Sequence, residues 1–217
     1  MVSRGKYQKD KCLVFAKGRP SSVSHEWILK GENIEVCKSY CYLGVTFTNS
    51  GSMKTASQIL NAKAVNAMFS LIRNTNKHGA CNMKIMLDLF DKMISPIALY
   101  NCEVWGINII PQDPNKEVNP LSSKNLSVNP TEGIQFKFLK SILRLPARAS
   151  NWAAMSEVGK YPITIKIIKL ICKFYVHLLK SPSRIVQEVV NTNKALAAEG
   201  FPSYFSYIER IFDFLGI

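Results

Sequence analysis

Metal-assisted phosphoryl chemistry needs at least two carboxylates converging on ions about 4 Å apart. The sequence supplies five aspartates, Asp10, Asp88, Asp91, Asp113 and Asp213, and no two are adjacent. Asp88 and Asp91 stand three apart, which puts them on one side of a helix. The segment around them is otherwise apolar, so they read as its solvent-facing edge. The three histidines each stand alone, and neither a glycine-rich phosphate loop nor a GxSxG turn is present. Six cysteines, Cys12, Cys37, Cys41, Cys81, Cys102 and Cys172, form no CxxC. Cys37 and Cys41 are four apart, but no second Cys/His pair follows at zinc spacing. Reduced, partly buried thiols are the better reading. No catalytic residue, metal ligand or cofactor is therefore assigned.

Basic residues carry the stronger signal. The net charge is +13 over 217 residues, which draws a protein toward polyanions. Residues 134–187 hold Lys137, Lys140, Arg144, Arg148, Lys160, Lys166, Lys169, Lys173, Lys180 and Arg184 against the single acid Glu157. Lys166, Lys169, Lys173, His177 and Lys180 step by three or four along one helix face, a stripe of about 21 Å. Ile165, Ile168, Cys172, Tyr175 and Leu179 fall on another face, which we assign to the core. Solvated helices usually intersperse acids for i,i+4 pairing, and like charges at that spacing repel. This segment has no acid in the stripe, which favours a polyanionic partner over a solvated face. The first long helix carries Lys63, Asn66, Ser70, Arg73 and Lys77 at similar spacing.

The elements that must position these residues fall into two textures. Residues 1–52 are β-rich: "KCLVF" (11–15) before a turn at "KGRPSS", a hairpin in "EWILKGENIEV" (26–36), and a third strand "YLGVTFT" (42–48). Gly44 inside that strand marks a close backbone approach. Ser52 is a candidate helix N-cap. From Met53 the period becomes helical, with Ala56, Leu60, Ala64, Ala67, Met68, Leu71 and Ile72 forming a stripe over 53–76. A second helix over 83–105 should kink at Pro96, with Ser95 biased away from the α region. Residues 111–130, rich in Pro, Asn and Ser, read as a flexible loop. Helices follow at 132–145, 151–158, 163–181, 184–198 and 203–214. The fold class expected is a mostly α-helical α+β protein with a small antiparallel β portion. Its divisions would be 1–52, 53–110, 111–131 and 132–217. The basic N-terminus has no apolar run behind it, and lysines interrupt 161–179. We expect neither signal peptide nor transmembrane helix, hence an intracellular protein without a membrane partner.

The order of "KDKCLVF", "YCYLGVTFTNSGS", a long helix, "LFDKMISPIALYNCEVWG" and "FLKSILRLPARASNWAAMSEVGKYPI" resembles the C-terminal part of a LINE-type, non-LTR retrotransposon reverse transcriptase, over residues 6–181. The resemblance implies that the first strands are the end of the palm, with Lys11 near the incoming nucleotide. It implies that Tyr42, Leu43 and Gly44 form a primer grip, so that the primer backbone is what nears Gly44. The helices from 53 would be the thumb, placing Lys63 and Arg73 on a nucleic-acid-facing helix. The family's paired aspartates and its Mg would belong upstream of Lys6, and no such pair stands in these residues. The chain is thus expected to be a fragment: a truncated element copy, a partial gene model or a domesticated remnant. It would bind RNA, DNA or hybrid weakly and without sequence preference, alongside the missing palm and fingers, and would not polymerise alone. A helical protein-interaction module is the alternative.

Overall fold

In the computed structural model, which describes residues 11–15, 26–77, 82–109, 119–201 and 203–217, two-residue turns organise the N-terminal strands. Lys30–Gly31 joins β2 (Ile28–Leu29) to β3 (Glu32–Asn33), and Leu43–Gly44 joins β5 (Ser39–Tyr42) to β6 (Val45–Thr48). All four turn residues have positive φ, between 46° and 83°, as a type I′ hairpin requires. Both ladders are antiparallel, with Tyr42 facing Val45 across the second turn. The hairpin expected at 26–36 is therefore present. The single strand expected at 42–48 is not: Leu43–Gly44 is a reversal, because left-handed φ at two successive residues turns the chain back. Gly44 is there for its φ of 83°.

A third ladder is parallel, not antiparallel. β1 (Lys11–Cys12) pairs with β4 (Glu35–Val36) in the register Lys11 to Glu35. The strand expected over 11–15 is only these two residues, and the turn at "KGRPSS" lies outside the described residues. Trp27, Ile28, Leu29, Val36, Tyr40 and Tyr42 are exposed, whereas Val45 is buried and the rest of β6 half-buried.

The chain divides into two compact units, Met1–Ala56 and Ser57–Ile217. Helices dominate the second, giving a mostly helical α+β protein. Helix α1 (Lys54–Lys77) starts where Ser52 Oγ accepts the Lys54 N–H at 3.3 Å, and its expected stripe buries Leu60, Ala64 and Met68. The second helix is broken into parts. α2 (Met83–Leu89) runs into a π turn at Phe90–Ile94 and then α3 (Ser95–Ala98). Ser95 stays helical (φ −55°, ψ −43°), its N–H reaching back five residues to Phe90 O. The expected bias of Ser95 away from the α region is thus corrected: the widened turn gives the Pro96 ring the room that an α turn would deny. The break comes later, at Asn101 (φ 50°), before α4 (Cys102–Trp105) and a short 3₁₀ turn, Gly106–Ile109.

The expected loop at 111–130 is also corrected in part. Ser123–Val128 is a helix, α5, and Pro130–Ile142 is the next, α6. The Ser and Asn that suggested a loop are caps. Ser122 Oγ accepts the Asn125 N–H at 3.3 Å, and Asn129 Oδ1 accepts the Thr131 N–H at 3.0 Å. Leu126 is buried. Residues 111–118 of that expected loop lie outside the described residues.

Helix α6 is the centre of the helical unit. Ile134, Phe136, Phe138 and Leu139 all enter the core that Ala64, Met68, Met86, Phe90 and Ile94 also fill. Phe90 and Phe138 stack with centroids 4.6 Å apart. α7 (Asn151–Glu157) adds Ala154 and Met155, and α8 (Ile163–Lys180) adds Ile163. On its other side α8 meets α4. The 3₁₀ turn that follows α4 brings Gly106 against Ile167 and Ile171. α9 (Arg184–Ala198) and α10 (Tyr204–Leu215) close the unit. Tyr175 of α8 packs edge-on against Phe205 and Phe212 of α10, at 5.2 and 5.3 Å.

A buried polar network ties three helices together. Pro162, at the start of α8, offers no capping side chain. Glu132 of α6, fully buried, supplies the cap instead: its Oε1 accepts the Thr164 N–H at 2.7 Å. Asn129 Nδ2 donates to Thr164 Oγ1 at 3.0 Å, and Thr131 Oγ1 donates to Asn61 Oδ1 of α1 at 3.1 Å. Burial raises the Glu132 carboxyl above its usual range, against the pull of the α8 backbone donors.

Candidate nucleic-acid interface

Helix α8 is built from a β-branched run, "ITIKIIKLI", whose local preference for helix is weak. Burial holds it. Ile163, Thr164, Ile167, Ile168 and Ile171 are sequestered, because α8 is packed by α4 and α6 at once. The core face expected from Ile165, Ile168, Cys172, Tyr175 and Leu179 is therefore corrected. Ile168 is buried and Cys172 and Tyr175 are half-buried, but Ile165 and Leu179 are exposed. The buried arc is rotated toward Ile163, Ile167 and Ile171.

The lysine stripe lies outside that arc, and Lys166, Lys169, Lys173, His177 and Lys180 are all exposed. Its expected lack of acids holds only in sequence. Asp91, in the π turn, forms ion pairs with both Lys160 and Lys166, the latter at 2.8 Å. Asp91 is thus no mere solvent edge of its helix: the fold carries it across 69 and 75 residues to its two partners. Burial by itself would raise its carboxyl, but hydrogen bonds from Lys160 and Lys166, and then their charges, outweigh that and hold it below the usual value. Asp88 pairs instead with Lys92, one turn on. Lys169, Lys173 and Lys180 have no ion pair among the described residues.

Beside this ion-paired group opens a cleft of about 400 Å³. Leu87, Phe90, Leu139 and Ile165 form apolar lining, and Asp91, Lys160, Tyr161, Lys166 and Lys169 also border it. Gln135 Nε2 donates to the Tyr161 carbonyl at 2.8 Å, fixing the backbone there, while the Tyr161 side chain is 79% exposed. The cleft gathers Lys166 and Lys169 from the stripe. It adds Lys160 and Tyr161, which sequence spacing does not place near them.

The other sequence-derived residues lie elsewhere. Lys63 and Arg73 are exposed on α1. Tyr42, Leu43 and Gly44 form the exposed tip of the β5–β6 hairpin in the N-terminal unit, where Leu43 is 71% exposed. Lys11, in the same unit, meets Glu35 at 3.7 Å.

The cysteines bear on metal chemistry. Among the described residues no group of three or more His, Cys, Asp or Glu could hold a metal ion. Cys37 Sγ donates to the Cys12 carbonyl at 3.4 Å, and burial pushes the Cys102 thiol up to about 12. Cys12 and Cys37 are half-buried as expected, whereas Cys41, in a two-stranded ladder with open faces, is exposed. Among the described residues no helix is long and apolar enough to cross a membrane. Compared with protein-family models, curated proteins and solved structures, the chain matches none.

Proposed function

We propose that this chain is the template–primer-gripping portion of a non-LTR reverse transcriptase, a protein that binds RNA, DNA or their hybrid weakly through phosphates. The observation that carries the reading is the row Lys169, Lys173 and Lys180, exposed on α8 without a carboxylate partner among the described residues. Unpaired like charges on one face favour a polyanion over water. The exposed Tyr42–Gly44 tip supports a primer grip. The apolar side chains left open on the short ladders are suited to packing against further polymerase elements.

Titrating a labelled RNA–DNA hybrid at several salt concentrations tests this. With about four to six phosphates neutralised, log K should fall with log salt at a slope of about −4 to −5. Changing Lys169, Lys173 and Lys180 together to Gln should flatten the slope by about 2 to 3, at unchanged helix content. Lys166 is left out because its ion pair with Asp91 makes its share of the slope harder to read. An unchanged slope would retire the stripe. It would favour the second reading, a protein-interaction helix, for which the exposed Ile185, Val189 and Leu196 of α9 speak.

Polymerase chemistry is not proposed for the chain alone. Primer extension on an RNA template, with Mg²⁺ or Mn²⁺, should give no incorporation above a protein-free control. Extension that co-purifies with the protein and survives a check for contaminating polymerase would overturn that expectation.

A further inference from the structure

We infer that the cleft beside Asp91 holds one unstacked nucleotide of a single strand, its base against Tyr161 and its phosphate against Lys166 and Lys169. The inference rests on the nucleic-acid reading above and adds to it a site for a base, which a row of phosphate contacts lacks. Size, composition and charge converge on that occupant.

The volume, about 400 Å³, falls within the range of about 300–1,000 Å³ for small-molecule sites. Buried Phe90 and Leu139 give the cleft an apolar lining, and exposed Lys166 and Lys169 border it. Lys160 and Lys166 share the single carboxylate of Asp91, and Lys169 borders the cleft without an ion pair among the described residues, leaving an excess of positive charge beside an apolar hollow. A duplex presents phosphates but keeps its bases stacked inside. A single strand presents a flat apolar base beside each phosphate, and aromatic rings at basic grooves bind such bases by stacking. Tyr161 is suited to this: its ring is exposed, and the Gln135 bond to its carbonyl steadies the backbone that carries it. Asp91 holds two of the lysines in place and competes with the phosphate for them.

Fluorescence anisotropy with a labelled ten-nucleotide single strand tests the assignment, using the full chain and three probes. Tyr161→Ala should weaken binding of the strand about tenfold. It should leave the hybrid duplex, and a strand of abasic residues, within a factor of two. Asp91→Asn, which frees Lys160 and Lys166, should tighten binding of the strand and steepen its salt slope; a residue that only shaped the fold would weaken it or change nothing. A free mononucleotide at millimolar concentration should not displace the strand, because it lacks the neighbouring phosphates; displacement would reassign the cleft to a soluble nucleotide and overturn the inference. If the wild type binds strand and duplex and Tyr161→Ala binds both equally well, the cleft is no base site while the nucleic-acid reading stands. If the wild type binds neither, both fall together.

Discussion

Replacing Glu132 with alanine should destabilise the helical unit by about 3 kcal/mol, although the residue is an acidic one in the first turn of a helix, where exchange is usually mild. Alanine would leave the Thr164 N–H buried without its acceptor, at about 1–3 kcal/mol, and would add a cavity at a site with no solvent exposure. Urea unfolding followed by helix signal would show it as a lower midpoint at unchanged slope. Glutamine keeps the accepting oxygen and removes the titration, so comparison of wild type with Glu132→Gln isolates the proton. Burial puts the folded carboxyl above its unfolded value of about 4.5. Its contribution is then fully present below that value and is lost as pH rises through the folded one, by up to about 1.4 kcal/mol per pH unit. Stability of the wild type relative to Glu132→Gln should therefore fall as pH rises above 4.5. A gap that grows with pH would show a carboxylate favoured by its surroundings and sink the account. Asp91 works in the opposite sense: its lowered carboxyl contributes above its unfolded value of about 3.8, and that contribution is lost as pH falls through the folded one.

Gly106→Ala should cost about 1–3 kcal/mol for the addition of one methyl group. Backbone strain is not the cause, since Gly106 has ordinary helical angles (φ −66°, ψ −18°) open to any residue. Space is. A Cβ there would stand 2.6 Å from Ile167 Cγ2 and 3.2 Å from Ile171 Cδ1. Ile167 is fully buried and β-branched in a helix, so it has essentially one rotamer and cannot step aside. The same contact predicts a rescue. Ile167→Ala alone should be destabilising by about 2–5 kcal/mol, yet it should remove most of the cost of Gly106→Ala when the two are combined. Strictly additive losses in the double variant would place the strain elsewhere.

Much of the helical unit was legible in the sequence because its helices bury one face at a regular period. The extent of α1 follows from that period and from Ser52 before it, and Pro162, Pro182 and Pro202 stand just ahead of α8, α9 and α10. What stayed hidden depended on residues brought together from far apart. Glu132 reads as a surface acid beside a helix N-terminus; that it caps a different helix is decided by how α6 lies against α8. Asp91 and its lysines are joined only by packing. The asparagines and serines of 119–131 were misread because the chemistry that favours loops also favours caps. Tyr161 carries no spacing signal, and only the cleft beside it marks it out.

The π turn at Phe90–Ile94 has a consequence for phase. Met86, Phe90, Ile94 and Ala98 recur every fourth residue and all reach the same core. On an ideal α-helix, steps of four overshoot a full turn by about 40° each, so this row would drift by about 120° and carry its last member off the core side. The wider turn admits an extra residue per circuit and cancels part of that overshoot. This widened turn thus acts as a vernier, holding a four-residue rhythm in step with a wall that a regular helix would leave.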